Sequence, residues 1–383
     1  MNNNDALYNT SLDLTYLVSC SVNETKPGLS RVNAMNLQNI SRLAERHSLT
    51  AAAAFAIGQV MPLPDYFLEE KSKAVRKLAL YEIESKRVFD ALERNRIWYL
   101  PLKGSVLKHC YPKTAMREMT DVDILCDSSR MDDVLKIMKE LGFTCKQFGK
   151  GVHDLYFKAP VMEFEMHKRL FSDYRQPVFS EYYQNIKDRL IQDAQASYRF
   201  RMSNEDLYIY LMCHIYKHYR YSGTGLRSLL DIYVFNKKYG GTLNRDYLTA
   251  ELTKLSLLSF EAEITQLAKA VYSGKPVSET EKKEFMFFTE SGCHGNNANF
   301  TAHSLHNDDS GQSKRKYYLR RLFPGEAELK TANPFVYRHR FLYPALIVYR
   351  PVKGLIVHPK KLLKEYRRIK NFKSTENKGR YNE

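Results

Sequence analysis

Apolar residues recur at helical spacing through most of the first hundred positions. Leu37, Ile40 and Ala44 line one side of Leu37–Arg46, and Ala51–Ala56 is a strong helix former. Phe67–Arg94 runs without Gly or Pro, and its Leu78, Leu80, Tyr81, Ile83, Val88, Phe89 and Leu92 approximate a stripe of helical period. At Ile97 the period changes. Ile97–Leu102 is a compact apolar run closed by Lys103-Gly104-Ser105, which predicts a buried strand, a turn, and then a helix from Val106. Val122–Leu125 predicts a second strand, and Asp132–Leu141 a helix stopped by Gly142. Phe143–Phe148, Asp154–Lys158 and Val161–His167 predict further strands, parted by Gly149, Gly151 and Pro160.

Helices resume afterwards. Asn204-Glu205-Asp206 caps a run through Tyr219, another helix begins near Leu226, and Tyr247–Val271 predicts one more. Ser291–Ser313 is rich in Gly, Asn, His, Ser and Asp and predicts a mobile loop. The pattern is α+β. It divides into a helical N-terminal region (1–95), an α/β core (96–175), a helical domain (176–290), the loop (291–313) and a basic, aromatic-rich C-terminal segment (314–383).

A chain of 383 residues exceeds the usual size of one domain, which agrees with several folding units. No apolar run reaches the roughly 18 to 20 residues of a membrane span. The nearest, Tyr343–Val357, is interrupted by Pro344, Arg350, Pro351, Lys353 and Gly354. The opening MNNNDALYNT lacks a basic stretch leading into an apolar one. Cys20, Cys110, Cys126, Cys145, Cys213 and Cys293 are scattered without a paired spacing. These features predict a cytoplasmic protein with free thiols. The net charge is +16, of which +14 falls in residues 314–383. The basic character therefore belongs to the C-terminal segment, where Lys360–Lys370 predicts an amphipathic basic helix suited to an anionic surface. The apolar part up to Val357 is expected to pack on the body of the protein.

The chemistry concentrates in Asp121-Val122-Asp123-Ile124-Leu125. Alternate residues of a strand share a face, so Asp121 and Asp123 project together while Val122 and Ile124 enter the core. Two adjacent carboxylates repel, and a hard divalent cation such as magnesium or manganese removes the conflict. Phosphoryl and nucleotidyl transfer use such pairs to hold two ions. Upstream, Gly104 and Ser105 follow a strand and open a helix, an arrangement that lets backbone amides approach a phosphate. Downstream, Glu163, Glu165 and His167 alternate along one strand face, so a neighbouring strand offers a third carboxylate.

The order strand, Gly-Ser, helix, Asp-x-Asp, acidic strand resembles the DNA polymerase β-like nucleotidyltransferase superfamily. More closely, LKGSVLKHCYP, MREMTDVDILC and HDLYFKAPVMEFEMHKRLF resemble the uncharacterised nucleotidyltransferase family (the NTP transferase 5 group), and HIYKHYRYSGTGLRSLLDI resembles its helical segment. The resemblance implies a nucleotidyltransferase-type mixed sheet with flanking helices. It implies catalytic and metal-holding roles for Asp121, Asp123 and Glu165, because the hydrophobic-Glu-x-His pattern of the family falls on Phe164-Glu165-Met166-His167 rather than on Glu163. The implied substrate is an NTP, and the acceptor is left open among a small molecule, a sugar, a protein and an RNA end.

Further basic residues suit nucleotide binding. Lys103 either meets phosphate or flanks the turn in solvent. Arg117 either contacts the triphosphate or neutralises Asp121. Lys217 shares a helix side with His214, His218 and Tyr221, and either reaches the phosphates or serves structure. Arg227 either binds phosphate or pairs with Asp231 four residues on. The two histidines lack a zinc-protease HExxH pattern, and there is no Walker A sequence or GxSxG elbow. Competing readings are a catalytically silent module of the same fold and a basic protein that binds nucleic acid or a membrane surface.

Overall fold

The computed structural model describes residues 3–274, 277–293, 295, 322–357 and the single positions 359, 363 and 366. Helices α1 (Asn3–Val22), α2 (Leu29–Asn33), α3 (Leu37–His47), α4 (Thr50–Ile57) and α5 (Asp65–Arg94) come first. The sheet region follows with β1 (Tyr99–Pro101), α6 (Gly104–Leu107), β2 (Val122–Cys126), α7 (Met131–Glu140), β3 (Thr144–Gln147), β4 (His153–Lys158) and β5 (Met162–His167). All five predicted strands form, and they build a mixed α+β fold. Next come α8 (Pro177–Tyr182), a two-stranded ribbon of β6 (Ile191–Gln192) and β7 (Phe200–Arg201), and α9 (Asn204–Tyr221), α10 (Leu226–Tyr239), α11 (Arg245–Lys254), α12 (Leu258–Tyr272) and α13 (Glu279–Ser291). Three short helices close the described chain: α14 (Glu326–Ala332), α15 (Pro334–Arg338) and α16 (Tyr343–Val357).

The sheet order is β1-β2-β5-β4-β3. Only β2 and β5 run parallel, and their register sets Asp123 beside Glu165. β4 and β5 are antiparallel, with His153 opposite His167. The other face of β2 and β5 carries Val122, Ile124, Phe164 and Met166, which pack with Tyr81, Val88 and Leu92 of α5 and with Val134 and Met138 of α7. Packing groups the helices differently from their order in the chain. α1 to α4 share one apolar core with α9 to α13, whereas α5 leaves them to cover the sheet. The Ala-rich α4 is central because small side chains let it lie close to both α1 and α5.

Two predicted helices differ in extent. The helix expected from Val106 is a single turn, and Pro112 follows soon after, where Tyr111 is anchored to Asp231. The helix expected over Tyr247–Val271 is two, α11 and α12, parted at Ser256, whose φ is +55°. The stretch to Val357, expected to pack, forms α16 but buries Leu346 while exposing Val348, Tyr349, Val352 and Ile356. Most of the predicted loop 291–313 and most of Lys360–Lys370 lie outside the described residues. Among the described residues no helix is long and apolar enough to cross a membrane.

Candidate active site

Asp123 is the second residue of β2 and is 2% exposed. Its Oδ1 accepts from Lys103 Nζ at 2.5 Å and from His167 Nε2 at 2.9 Å. Burial works against the Asp123 charge, but Lys103 and His167 outweigh it and hold the carboxyl far below the usual range. The same pairing holds the Lys103 ammonium above its ordinary value despite burial. Asp121 lies just before β2 and meets the opposite balance. Burial and then the Asp123 charge push its carboxyl up, and Thr120 Oγ1 donates to it at 3.1 Å. Glu165, beside Asp123 in register, has His167 Nε2 at 3.3 Å and His153 Nδ1 at 3.4 Å from its Oε2.

Lys103 reaches Asp123 through an unusual backbone. Its φ is +46°, a conformation that costs a non-glycine residue about 1–3 kcal/mol. The left-handed position is thus Lys103 rather than Gly104. Gly104 is closely approached: a Cβ there would sit 3.2 Å from Met119 Cγ and 3.3 Å from Arg117 Nη1, so these side chains would have to give way. Ser105 stands half-buried in the same helical turn.

Helix α9 covers the carboxylates from the helical side. Its Tyr210, His214 and Lys217 all lie within electrostatic reach of Lys103. Burial, reinforced by Lys103, pushes the Lys217 ammonium down to about 8, while Asp123 and Glu165 draw it up. Burial and then Lys103 likewise push the His214 imidazole well below its ordinary value, and its Nε2 lies 3.2 Å from that of His218. A cleft of about 770 Å³ opens beside the ends of β2 and β5, lined by Leu125, Lys168, Phe171, Trp98, Tyr183 and Lys187.

The structure therefore brings Asp121, Asp123, Glu165, Lys103 and Lys217 together, with Gly104 and Ser105 alongside. The two arginines are elsewhere engaged. Arg117, expected at the triphosphate or at Asp121, forms a bidentate pair with Asp231 of α10, Nε to Oδ1 at 2.7 Å and Nη2 to Oδ2 at 3.0 Å. Tyr111 donates to the same carboxylate at 2.6 Å. Both Arg117 and Asp231 are buried, so the pair ties the sheet to the helical layer. Arg227, expected at phosphate or at Asp231, instead donates from Nη1 to the Glu118 carbonyl at 3.0 Å, because Arg117 already occupies Asp231. His153 and Tyr210 are not among the site residues that the sequence suggests. His153 precedes the predicted start of its strand, and only the sheet order reveals that β4 adjoins β5.

No curated protein and no solved structure matches the chain. The sequence model of the uncharacterised nucleotidyltransferases matches residues 33–273, a span that takes in α3 to α12 and every strand of the sheet. The chain belongs to the uncharacterised nucleotidyltransferase family.

Proposed function

We propose that the protein transfers a nucleoside monophosphate from an NTP to an acceptor hydroxyl. The observation that carries this reading is the in-register pairing of Asp123 with Glu165 on parallel strands, with Asp121 two residues away on the same face. The donors suit a hard divalent cation, since burial and the Asp123 charge both raise the Asp121 carboxyl and a cation offsets both. Magnesium or manganese held by Asp121, Asp123 and Glu165 supplies positive charge to the reacting phosphates when bound.

The acceptor oxygen forms a bond to the α-phosphorus, the bond from that phosphorus to the bridging oxygen breaks, and pyrophosphate leaves. Glu165 takes the acceptor proton, and His167 orients both Asp123 and Glu165 through its contacts with each. Lys217 offers a poorly solvated ammonium to the phosphates, where anionic charge replaces the water it has lost. Gly104 and Ser105 line the phosphate approach. Arg117 acts from behind the turn, as packing for Gly104.

The test is incubation with each α-labelled NTP, magnesium or manganese, and cell extract. Metal-dependent label on an acceptor, lost in Asp123→Asn, is expected. Absence of labelling and of NTP binding under all of these conditions would leave the fold as a silent binding module.

A further inference from the structure

The two histidines of the sheet face are more than second partners for carboxylates. His153 and His167 sit directly opposite each other on β4 and β5, with ring centroids 5.0 Å apart, and both turn toward the same oxygen of Glu165. The distances, 3.4 Å from His153 Nδ1 and 3.3 Å from His167 Nε2, are long for hydrogen bonds. They match something else. Imidazole and carboxylate donors at about 2.0–2.1 Å from a tetrahedral zinc-type ion are separated from each other by about 3.3–3.4 Å. One donor atom from each of the three residues falls within 4.8 Å of the others. His153 Nδ1, one of these donor atoms, is buried without a hydrogen-bond partner. Such atoms are rare unless something absent from the protein chain satisfies them.

We infer that His153, Glu165 and His167 form a site for a borderline transition cation of the zinc or cobalt class, which adjoins the carboxylates of Asp121 and Asp123 and shares Glu165 with them. Two imidazoles and one carboxylate favour such an ion over magnesium, which prefers oxygen donors. The cation takes the place of the His167 Nε2 proton, and Asp123 keeps Lys103 as its counter-ion. Three protein ligands leave a coordination position free, and it opens on the side of the partly exposed His153. The site holds whether or not nucleotidyl transfer occurs, although Glu165 is common to both.

Cobalt(II) is the probe, because its visible absorption reports the ligands directly. Metal-stripped full-length protein titrated with cobalt is expected to develop a band at one equivalent, displaced by zinc and not by millimolar magnesium. His153→Ala should weaken cobalt binding tenfold or more. Asp121→Asn should keep the band. His153 is the informative position because it is partly exposed and does not touch Asp123, so a far-ultraviolet spectrum like that of the wild type will verify folding. No stoichiometric band, a band that survives His153→Ala, or a band lost in Asp121→Asn would each overturn the assignment. Labelling by NTP with magnesium, run on the same preparations, separates this outcome from failure of the proposed transfer activity.

Discussion

Asp121 and Asp123 are two residues apart, yet the same substitution at each should change stability in opposite directions. A bare strand of two aspartates suggests that either change relieves repulsion. The structure divides them. Asp123 is buried and receives Lys103 and His167, so Asp123→Asn leaves the Lys103 ammonium buried without its counter-charge. Breaking a buried pair from one side costs about 3–5 kcal/mol, and the lower end applies because Asn still offers one acceptor oxygen. Asp121 is raised by burial and by Asp123, so Asp121→Asn removes a penalty and should stabilise the metal-free protein.

The pH dependence carries the same signs. The depressed Asp123 contributes stability that is present above its unfolded value of 3.8 and lost as pH falls through its folded value. The raised Asp121 favours the folded state at pH below 3.8, and that advantage is lost as pH rises through its folded value. Urea unfolding at pH 7 without metal is the assay. With a slope of about 3 kcal/mol per molar, a loss of about 3 kcal/mol lowers the midpoint of Asp123→Asn by about 1 M. The midpoint of Asp121→Asn should rise. Equal shifts of the same sign would refute the division of charge described here.

Lys217→Met tests the desolvated ammonium. Its fall from 10.5 to about 8 means that the folded state binds fewer protons between those values, so wild-type stability should climb with pH across that window. The variant should lack the climb and be more stable at pH 7 by about 3.5 kcal/mol, from about 2.5 pH units at about 1.4 kcal/mol each. Parallel pH profiles for the two proteins would count against it. Asp231→Asn should cost about 3–5 kcal/mol in urea unfolding, because it strands the buried Arg117. Unchanged stability with tighter NTP binding would return Arg117 to the phosphates.

Much of this was legible in the chain because it depends on neighbours in sequence. Strand alternation put Asp121 with Asp123, and Glu163 with Glu165 and His167, without reference to anything distant. The change of period at Ile97 and the glycines at 142, 149 and 151 marked the strands of the sheet. The Pro and Gly interruptions told against a membrane span in Tyr343–Val357, although not that the helix would expose Val348 and Ile356.

What the chain alone left undecided was every choice among distant partners. Asp231 was within one helical turn of Arg227, but it pairs with Arg117, 114 positions away, since folding buries those two together and leaves Arg227 to a carbonyl. The sequence allowed Lys103 solvent or phosphate; the left-handed turn at its own backbone and the burial of Asp123 direct it inward. His153 acquires its place only because β4 pairs with the far edge of β5, and Lys217 only because α9 crosses the carboxylates. Local periodicity determines which side chains share a face. Burial, which sets the cost of an unpaired charge and hence its partner, exists only once the layers have closed.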